Sequence, residues 1–71
     1  MATITNPDPD SMLVQAAKLR RRAAQCREMA RGALSDIVAD ELETLAEEFE
    51  RDATTLEVCA ERNARLALAS A

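Results

Sequence analysis

The chain has 71 residues, of which nine are Lys or Arg and 13 are Asp or Glu, so its formal net charge at pH 7 is −4. It contains no His, one Gly, two Pro, two Cys and a single aromatic residue, Phe49. This composition argues against a structural zinc site, which normally needs four Cys or His ligands, and it leaves no constellation for acid–base or nucleophilic catalysis. We therefore expect no enzyme activity, no metal and no cofactor.

The first ten residues differ in composition from the rest. Residues 1–10 (MATITNPDPD) carry both prolines and, beyond Met1, only one large aliphatic residue, Ile4. Each proline disfavours helix at the residue before it, so we predict a flexible N-terminal arm over residues 1–10. The arm lacks the apolar segment of a secretory signal, and no stretch of about 18 residues in the chain is free of charge. We therefore expect a cytoplasmic protein without a membrane-spanning helix.

The next segment has apolar and small residues at alternating spacings of four and three, which predicts a helix over about residues 11–32. This series consists of Met12, Ala16, Leu19, Ala23, Cys26, Ala30 and Ala33. Asp10 or Ser11 is expected to cap the N-terminus, and Gly32 is expected to end the helix in the left-handed conformation that glycine adopts without strain.

The segment from Ser35 to Ala69 contains no Gly and no Pro, and it predicts a second, longer helix over about residues 35–69. Its large apolar residues, with Asp52 and Asn63 interrupting them, are Val38, Leu42, Leu45, Phe49, Leu56, Cys59 and Leu66. Alanines recur beside them every seven residues, as in coiled coils, at Ala46, Ala53, Ala60 and Ala67. The large residues predict a packing face, and the alanines predict the close approach of another helix.

A short connection between two long helices forces them to lie antiparallel, so we predict an all-α fold, an antiparallel two-helix hairpin formed by residues 11–71. One helix–helix contact buries little surface for a chain of this size. We predict that two hairpins form a homodimeric four-helix bundle, using the alanine series and a C-terminal overhang of helix 2. The expected interface residues are Phe49, Ala53, Leu56, Ala60, Asn63, Leu66 and Ala67.

Asp52 and Asn63 allow two interpretations. They are polar groups at core positions that fix register or oligomeric state, or the apolar series drifts around a straight helix so that the core position passes to Ala53 and Ala60. Drift is favoured for Asp52, whereas both interpretations stay open for Asn63.

Helix 1 is basic, and its cations Lys18, Arg20, Arg21 and Arg22 suggest nucleic-acid binding. Alternatively, they pair with acids across the hairpin. A tight turn near residue 34 predicts the pairs Arg27 with Glu41, Arg20 with Glu47 or Glu48, and Lys18 with Glu50. We favour pairing, because the chain is acidic overall and no aromatic residues alternate with the arginines for base stacking.

The cysteines are expected to be far apart. With the same tight turn, Cys26 and Cys59 would be separated by more than roughly 20 Å, which is too far for a disulfide within the chain. Two reduced thiols are the favoured interpretation, while an intermolecular bridge or a redox role stays open.

Parts of both helices resemble a known group of proteins. The first helix carries the pattern R-A-x-x-C-R-x-(L/M)-A, with the matching residues Arg22, Ala23, Cys26, Arg27, Met29 and Ala30. The second follows L-x-x-(L/M)-A-x-x-(F/Y/W)-x-x-L-A except at Asp52, with the matching residues Leu42, Leu45, Ala46, Phe49 and Ala53. Over a little more than half its length, the chain is similar to uncharacterised small α-helical hairpin proteins of alphaproteobacteria, and it departs from them at Asp52 and after Leu56. The resemblance implies a helical hairpin in a bacterial protein, and it implies no activity.

The function expected from the sequence is that of a small non-catalytic protein–protein interaction or adaptor protein acting as a homodimer. The C-terminal overhang, with Leu66, Ala67 and Leu68, is the expected contact for a different protein. The alternative is a small nucleic-acid-associated regulator that uses the basic face of helix 1.

Overall fold

The computed structural model describes residues 8–70, which form two helices joined by a short connection. Helix α1 spans Pro9–Arg31 and helix α2 spans Asp36–Ser70. Arg20 contacts Glu57 while Arg27 contacts Glu50, so the helices run antiparallel. The predicted all-α hairpin is confirmed for the described residues, neither helix of which is long and apolar enough to cross a bilayer. Most of the predicted arm, residues 1–7, lies outside the described part.

The start of α1 is earlier than predicted. Its N-cap is Asp8 rather than Asp10 or Ser11, and the Asp8 carbonyl oxygen accepts a hydrogen bond from the Met12 N–H at 3.1 Å. Proline is favoured at the first helical position, because the N–H that it lacks would have no partner there and its fixed φ suits the helix. Pro9 therefore begins α1 rather than delaying it.

The connection consists of residues 32–35. Gly32 has a φ of −92°, so it is not in the left-handed conformation predicted for it. The Ala33 N–H donates to the Ala30 carbonyl oxygen at 3.3 Å, which closes the last turn. Ser35 precedes α2 as predicted, and its carbonyl oxygen accepts a hydrogen bond from the Ala39 N–H at 3.0 Å, as that of an N-cap residue does. The chain thus leaves α1 without the reversal that a left-handed glycine provides.

Alanines form the contact between the two helices. Ala16 and Ala23 of α1 are 1% exposed, and Ala46 and Ala53 of α2 are 0% exposed. Ala60 is buried with them. Side chains this small let two helix backbones approach closely. Ala53 and Ala60 are therefore buried within the hairpin itself, and their contact with a second hairpin stays a prediction.

Larger apolar side chains lie beside the alanines. Ala23, Cys26 and Ala46 form one buried cluster, and Leu42 and Phe49 pack against it. Phe49, the single aromatic residue, thus takes the central packing position that its place in the series predicts.

The register of the two helices differs from the predicted one. Arg20 pairs with Glu57 and Arg27 with Glu50, so each arginine meets an acid nine positions further along α2 than a tight turn predicts. Within residues 8–70, none of the expected pairs forms, namely Arg27 with Glu41, Arg20 with Glu47 or Glu48, and Lys18 with Glu50. Nine positions correspond to about 13 Å along a helix. The prediction is wrong because the chain continues beyond the end of α1 before it reverses into α2.

The overhang of α2 consequently moves toward the turn. Extending the Arg27–Glu50 pair along both helices puts the end of α1 level with about residue 46, so about ten residues of α2 lie beyond it. Ile37 in this overhang and Leu34 in the connection are both strongly exposed. At the other end of α2, Leu66, Ala67 and Leu68 are exposed as expected. The long overhang predicted at the C-terminal end is therefore corrected, since the longer one lies at the turn.

Candidate interaction surface

The first face of the hairpin, which we call the ion-pair face, carries two arginine–glutamate pairs. Arg20 donates from Nε to Glu57 Oε2 at 3.1 Å and from Nη2 to Glu57 Oε1. Arg27 Nη1 lies 2.7 Å from Glu50 Oε2, and its Nη2 donates to Glu50 Oε1 at 2.8 Å. Both pairs are bidentate, the arrangement that the planar guanidinium group favours. The partners are seven residues apart on each helix, so the two pairs stack along the same face.

These pairs shift the pKa values of their members. The hydrogen bond from Arg27 holds the pKa of Glu50 below its usual value, and the hydrogen bond from Arg20 does the same for Glu57. The same bonds raise the pKa of both arginines, while desolvation acts in the opposite direction. The four side chains are 34–44% exposed, so water screens the pairs and their contribution to stability is modest.

The double variant Glu50→Gln/Glu57→Gln is expected to have an unfolding temperature that depends less on pH than that of the parent. A carboxyl group whose pKa is lowered by folding adds stability that is fully present above its unfolded pKa, near 4.5, and is lost as the pH falls through the lower folded value. The unfolding temperature of the parent should therefore fall from about pH 4.5 downward, and that of the double variant should fall less. Thermal unfolding followed by circular dichroism at each pH measures both.

The control for this experiment is Glu48→Gln, which removes an exposed carboxylate that forms no ion pair within residues 8–70. It should keep the pH dependence of the parent. If the double variant lost unfolding temperature as steeply as the parent, the two pairs would not contribute to the pH dependence.

The second face of the hairpin, which we call the apolar face, is the candidate interaction surface. On α2 its members are seven residues apart, and each lies one position before an alanine. Glu50 and Glu57, in contrast, lie four positions after an alanine. The members are Val38, Leu45, Asp52, Cys59 and Leu66. Val38, Leu45 and Leu66 are 47%, 39% and 59% exposed, and Cys59 is half-buried and free. Residues seven apart shift by only about 20° around a helix, so the series forms a continuous strip.

Helix α1 also contributes residues to the apolar face, and they too lie one position before an alanine. Gln15, Arg22 and Met29 are seven apart, and each lies one position before an alanine of α1. All three are exposed, and Met29 is 61% exposed. Arg20 and Arg27 lie four positions after alanines and hence on the ion-pair face. Both helices therefore present one face with complementary charge and one face with exposed apolar groups.

The predicted interface residues divide between the hairpin core and the end of α2. Five of them lie in or beside the contact with α1, namely Phe49, Ala53, Leu56, Ala60 and Asn63. The Asn63 side chain donates weakly from Nδ2 to Met12 Sδ at 4.0 Å. Leu66 and Ala67 are exposed. Asp52 is exposed while Ala53 takes the core position, as the drift interpretation expects.

The four residues predicted as an alternative nucleic-acid site do not lie on one face of α1. Arg20 is bound by Glu57 on the ion-pair face. Lys18, Arg21 and Arg22 are exposed and form no ion pair within residues 8–70. Adjacent residues of a helix point about 100° apart, so the three consecutive arginines point in three directions.

Some exposed apolar residues were not predicted from the sequence to lie on an interaction surface. Met29, Leu34 and Ile37 are exposed apolar residues that no predicted interface includes. The spacing of apolar residues alone does not distinguish the apolar face from the core. The residues of the apolar face and the buried alanines both recur every seven positions. The position of each residue relative to the nearest alanine is the signal that separates them.

Comparison with known proteins adds no functional assignment. No protein-family model matches the sequence, and no curated protein or solved structure matches it. The similarity to alphaproteobacterial hairpin proteins therefore stays a prediction, and the candidate surface rests on the geometry of the hairpin.

Proposed function

We propose that this protein is a small non-catalytic interaction protein that works as a homodimer, in which two hairpins stack their apolar faces to form a four-helix bundle. The observation that carries the proposal is the strip of exposed apolar residues beside the core, with Val38 and Leu45 on α2 and Met29 on α1. Each helix buries one series of residues against the other. A further apolar series needs another helix to cover it, and a second copy supplies two.

The ends of α2 are the proposed contacts for a different protein. Leu68 is exposed near the C-terminal end, and Leu34 and Ile37 are exposed at the turn. Exposed apolar side chains on helices are typical contacts for a partner helix or groove. We place the protein in the cytoplasm, a proposal supported by two free cysteines that suit a reducing compartment.

The test of the homodimer is the mass in solution, measured by light scattering over a concentration series with a reducing agent present. The parent is expected to have twice the chain mass of 7.7 kDa. Leu45→Glu should shift it to the monomer, because the change places a carboxylate in the apolar strip. Thr44→Glu is the matched control: it adds the same charge one residue away, outside the strip, and should leave the dimer intact.

Circular dichroism of both variants separates dissociation from unfolding, since Leu45 is partly exposed and its replacement should leave the hairpin helical. A parent protein that stays monomeric at every concentration would overturn the homodimer. The apolar face would then be left for a different chain.

The alternative function is that of a nucleic-acid-associated regulator, and one observation favours it: Lys18, Arg21 and Arg22 are exposed cations. The pairing of Arg20 with Glu57 weighs against it, as does the negative net charge. The alternative predicts that DNA or RNA is retained at low salt and released steeply as salt rises. A protein that retains neither at low salt is not such a regulator.

A further inference from the structure

Asp52 is the one charged member of the apolar series on α2. It lies at the middle of the strip, with Leu45 one heptad before it and Cys59 one heptad after it. Its side chain is exposed and forms no ion pair within residues 8–70. If a second hairpin covers this strip, the Asp52 carboxylate loses water and needs a cation as a partner.

Arg22 is the one cation on the α1 side of the same face. It lies three positions after Leu19 and four before Cys26, so it borders the core on the face opposite to Arg20 and Arg27. Its guanidinium is exposed and, like Asp52, has no ion-pair partner within the described residues. The apolar face thus carries one acid and one base, both unpaired.

The two ion pairs show that these charges lie at similar heights along the hairpin. Arg20 is level with Glu57 and Arg27 is level with Glu50. Interpolation places Arg22 level with about residue 55, which is roughly 4.5 Å along the axis from Asp52. The acid and the base are therefore within about one helical turn of each other in height.

Two hairpins can stack these faces in two ways related by a twofold axis. With the turns at opposite ends of the dimer, α2 lies on α2, and each Asp52 faces a series that contains no cation. With the turns at the same end, α2 of each copy lies on α1 of the other, and each Asp52 faces the series of Gln15, Arg22 and Met29.

We infer that the dimer, which itself rests on the proposed function, has both turns at the same end and is held in that orientation by Asp52 of each copy pairing with Arg22 of the other. The pair occurs twice because the interface is symmetric. The same arrangement brings Met29 of one copy near Leu45 of the other, because these residues lie one heptad nearer the turn. Apolar groups then meet apolar groups, and the buried charges set orientation, as polar groups at helix interfaces do.

Charge reversal tests the pair in solution. Asp52→Arg places two cations opposite each other at both copies of the contact, and Arg22→Asp places two anions there. Each variant alone is expected to dissociate, with a dissociation constant raised on the order of 100-fold. An equal mixture of the two variants should form a heterodimer, since each contact then joins one arginine to one aspartate. Light scattering measures the single variants, and native mass spectrometry identifies the heterodimer.

Arg21→Asp is the matched control, because it reverses the neighbouring charge outside the apolar face. It should dimerise like the parent. Its heterodimer with Asp52→Arg should be weaker than the one that Arg22→Asp forms with Asp52→Arg, because one of its two contacts still joins two arginines. Circular dichroism confirms folding, which both reversals should preserve because Arg22 and Asp52 are exposed in the single hairpin.

The outcomes separate this inference from the proposed function. A monomeric parent overturns both. A dimeric parent whose affinity is unchanged by either reversal overturns only the orientation and the pair, as does a mixture of variants that yields no heterodimer.

Discussion

An Ala23→Glu variant is expected to be unfolded under conditions in which the parent is helical. Ala23 is 1% exposed and belongs to the buried cluster with Cys26 and Ala46. A glutamate there must push the helices apart or bury an unpaired carboxylate, which costs roughly 3 kcal/mol or more. A hairpin with a single helix–helix contact has little stability to lose, so this cost is enough to unfold it. Far-UV circular dichroism and urea titration measure the effect.

The matched control is Ala24→Glu, which makes the same change at the next residue, where the side chain is exposed. It should lower the free energy of unfolding by no more than about 0.5 kcal/mol, the difference in helix propensity between the two residues. Ala53→Glu should behave like Ala23→Glu, because Ala53 is equally buried on α2. If Ala23→Glu were as stable as Ala24→Glu, the alanines would not form the helix contact.

Phe49→Ala is expected to lower the free energy of unfolding by about 2 kcal/mol. The ring packs against the cluster of Ala23, Cys26 and Ala46, and it is the largest side chain that does so. Its replacement by alanine leaves a gap that these small neighbours cannot fill. The expected loss is below the range for a fully buried phenylalanine, because Phe49 is only half-buried. Urea titration at fixed protein concentration measures it.

Leu34→Ala serves as the control for this experiment, since Leu34 is fully exposed in the connection. Its removal should change the free energy of unfolding by no more than about 0.5 kcal/mol. Should Phe49→Ala unfold at the same urea concentration as the parent, the aromatic ring would not be part of the core.

The sequence predicts the two helices well because the signals for them are local. Between Ser35 and Ala69 there is no Gly or Pro, and the observed α2 covers nearly the whole segment. The alternating spacing from Met12 to Ala33 likewise predicts α1 to within a few residues at each end. The antiparallel arrangement follows from the short connection.

The register could not be predicted, because it depends on the path of only four residues, 32–35. A tight turn at these residues would have brought Arg27 opposite Glu41, whereas Arg27 pairs with Glu50 and Gly32 has a φ of −92°. This change moves the overhang from the C-terminal end to the turn. The register also determines which charged residues of α1 and α2 lie at the same height along the hairpin. The pairing of residues on the candidate surface could therefore not be predicted either.

The seven-residue repeat has a further consequence, for slippage between the helices. Sliding α2 by one heptad would put Arg27 beside Glu43 and Arg20 beside Glu50, so both arginines would again meet glutamates. Alanines would still face α1, because they recur with the same period. The ion pairs and the alanines therefore hold the helices close together without selecting one alignment.

The single observed alignment is selected by features that occur only once in the hairpin. Phe49 is the single aromatic residue, and its ring fits beside Ala23 and Cys26 in only one alignment. The weak hydrogen bond from Asn63 to Met12 occurs once, at the far end of the hairpin. Phe49 thus fixes the alignment of two otherwise periodic helix surfaces. Its replacement by a small residue would allow the helices to exchange between alignments one heptad apart.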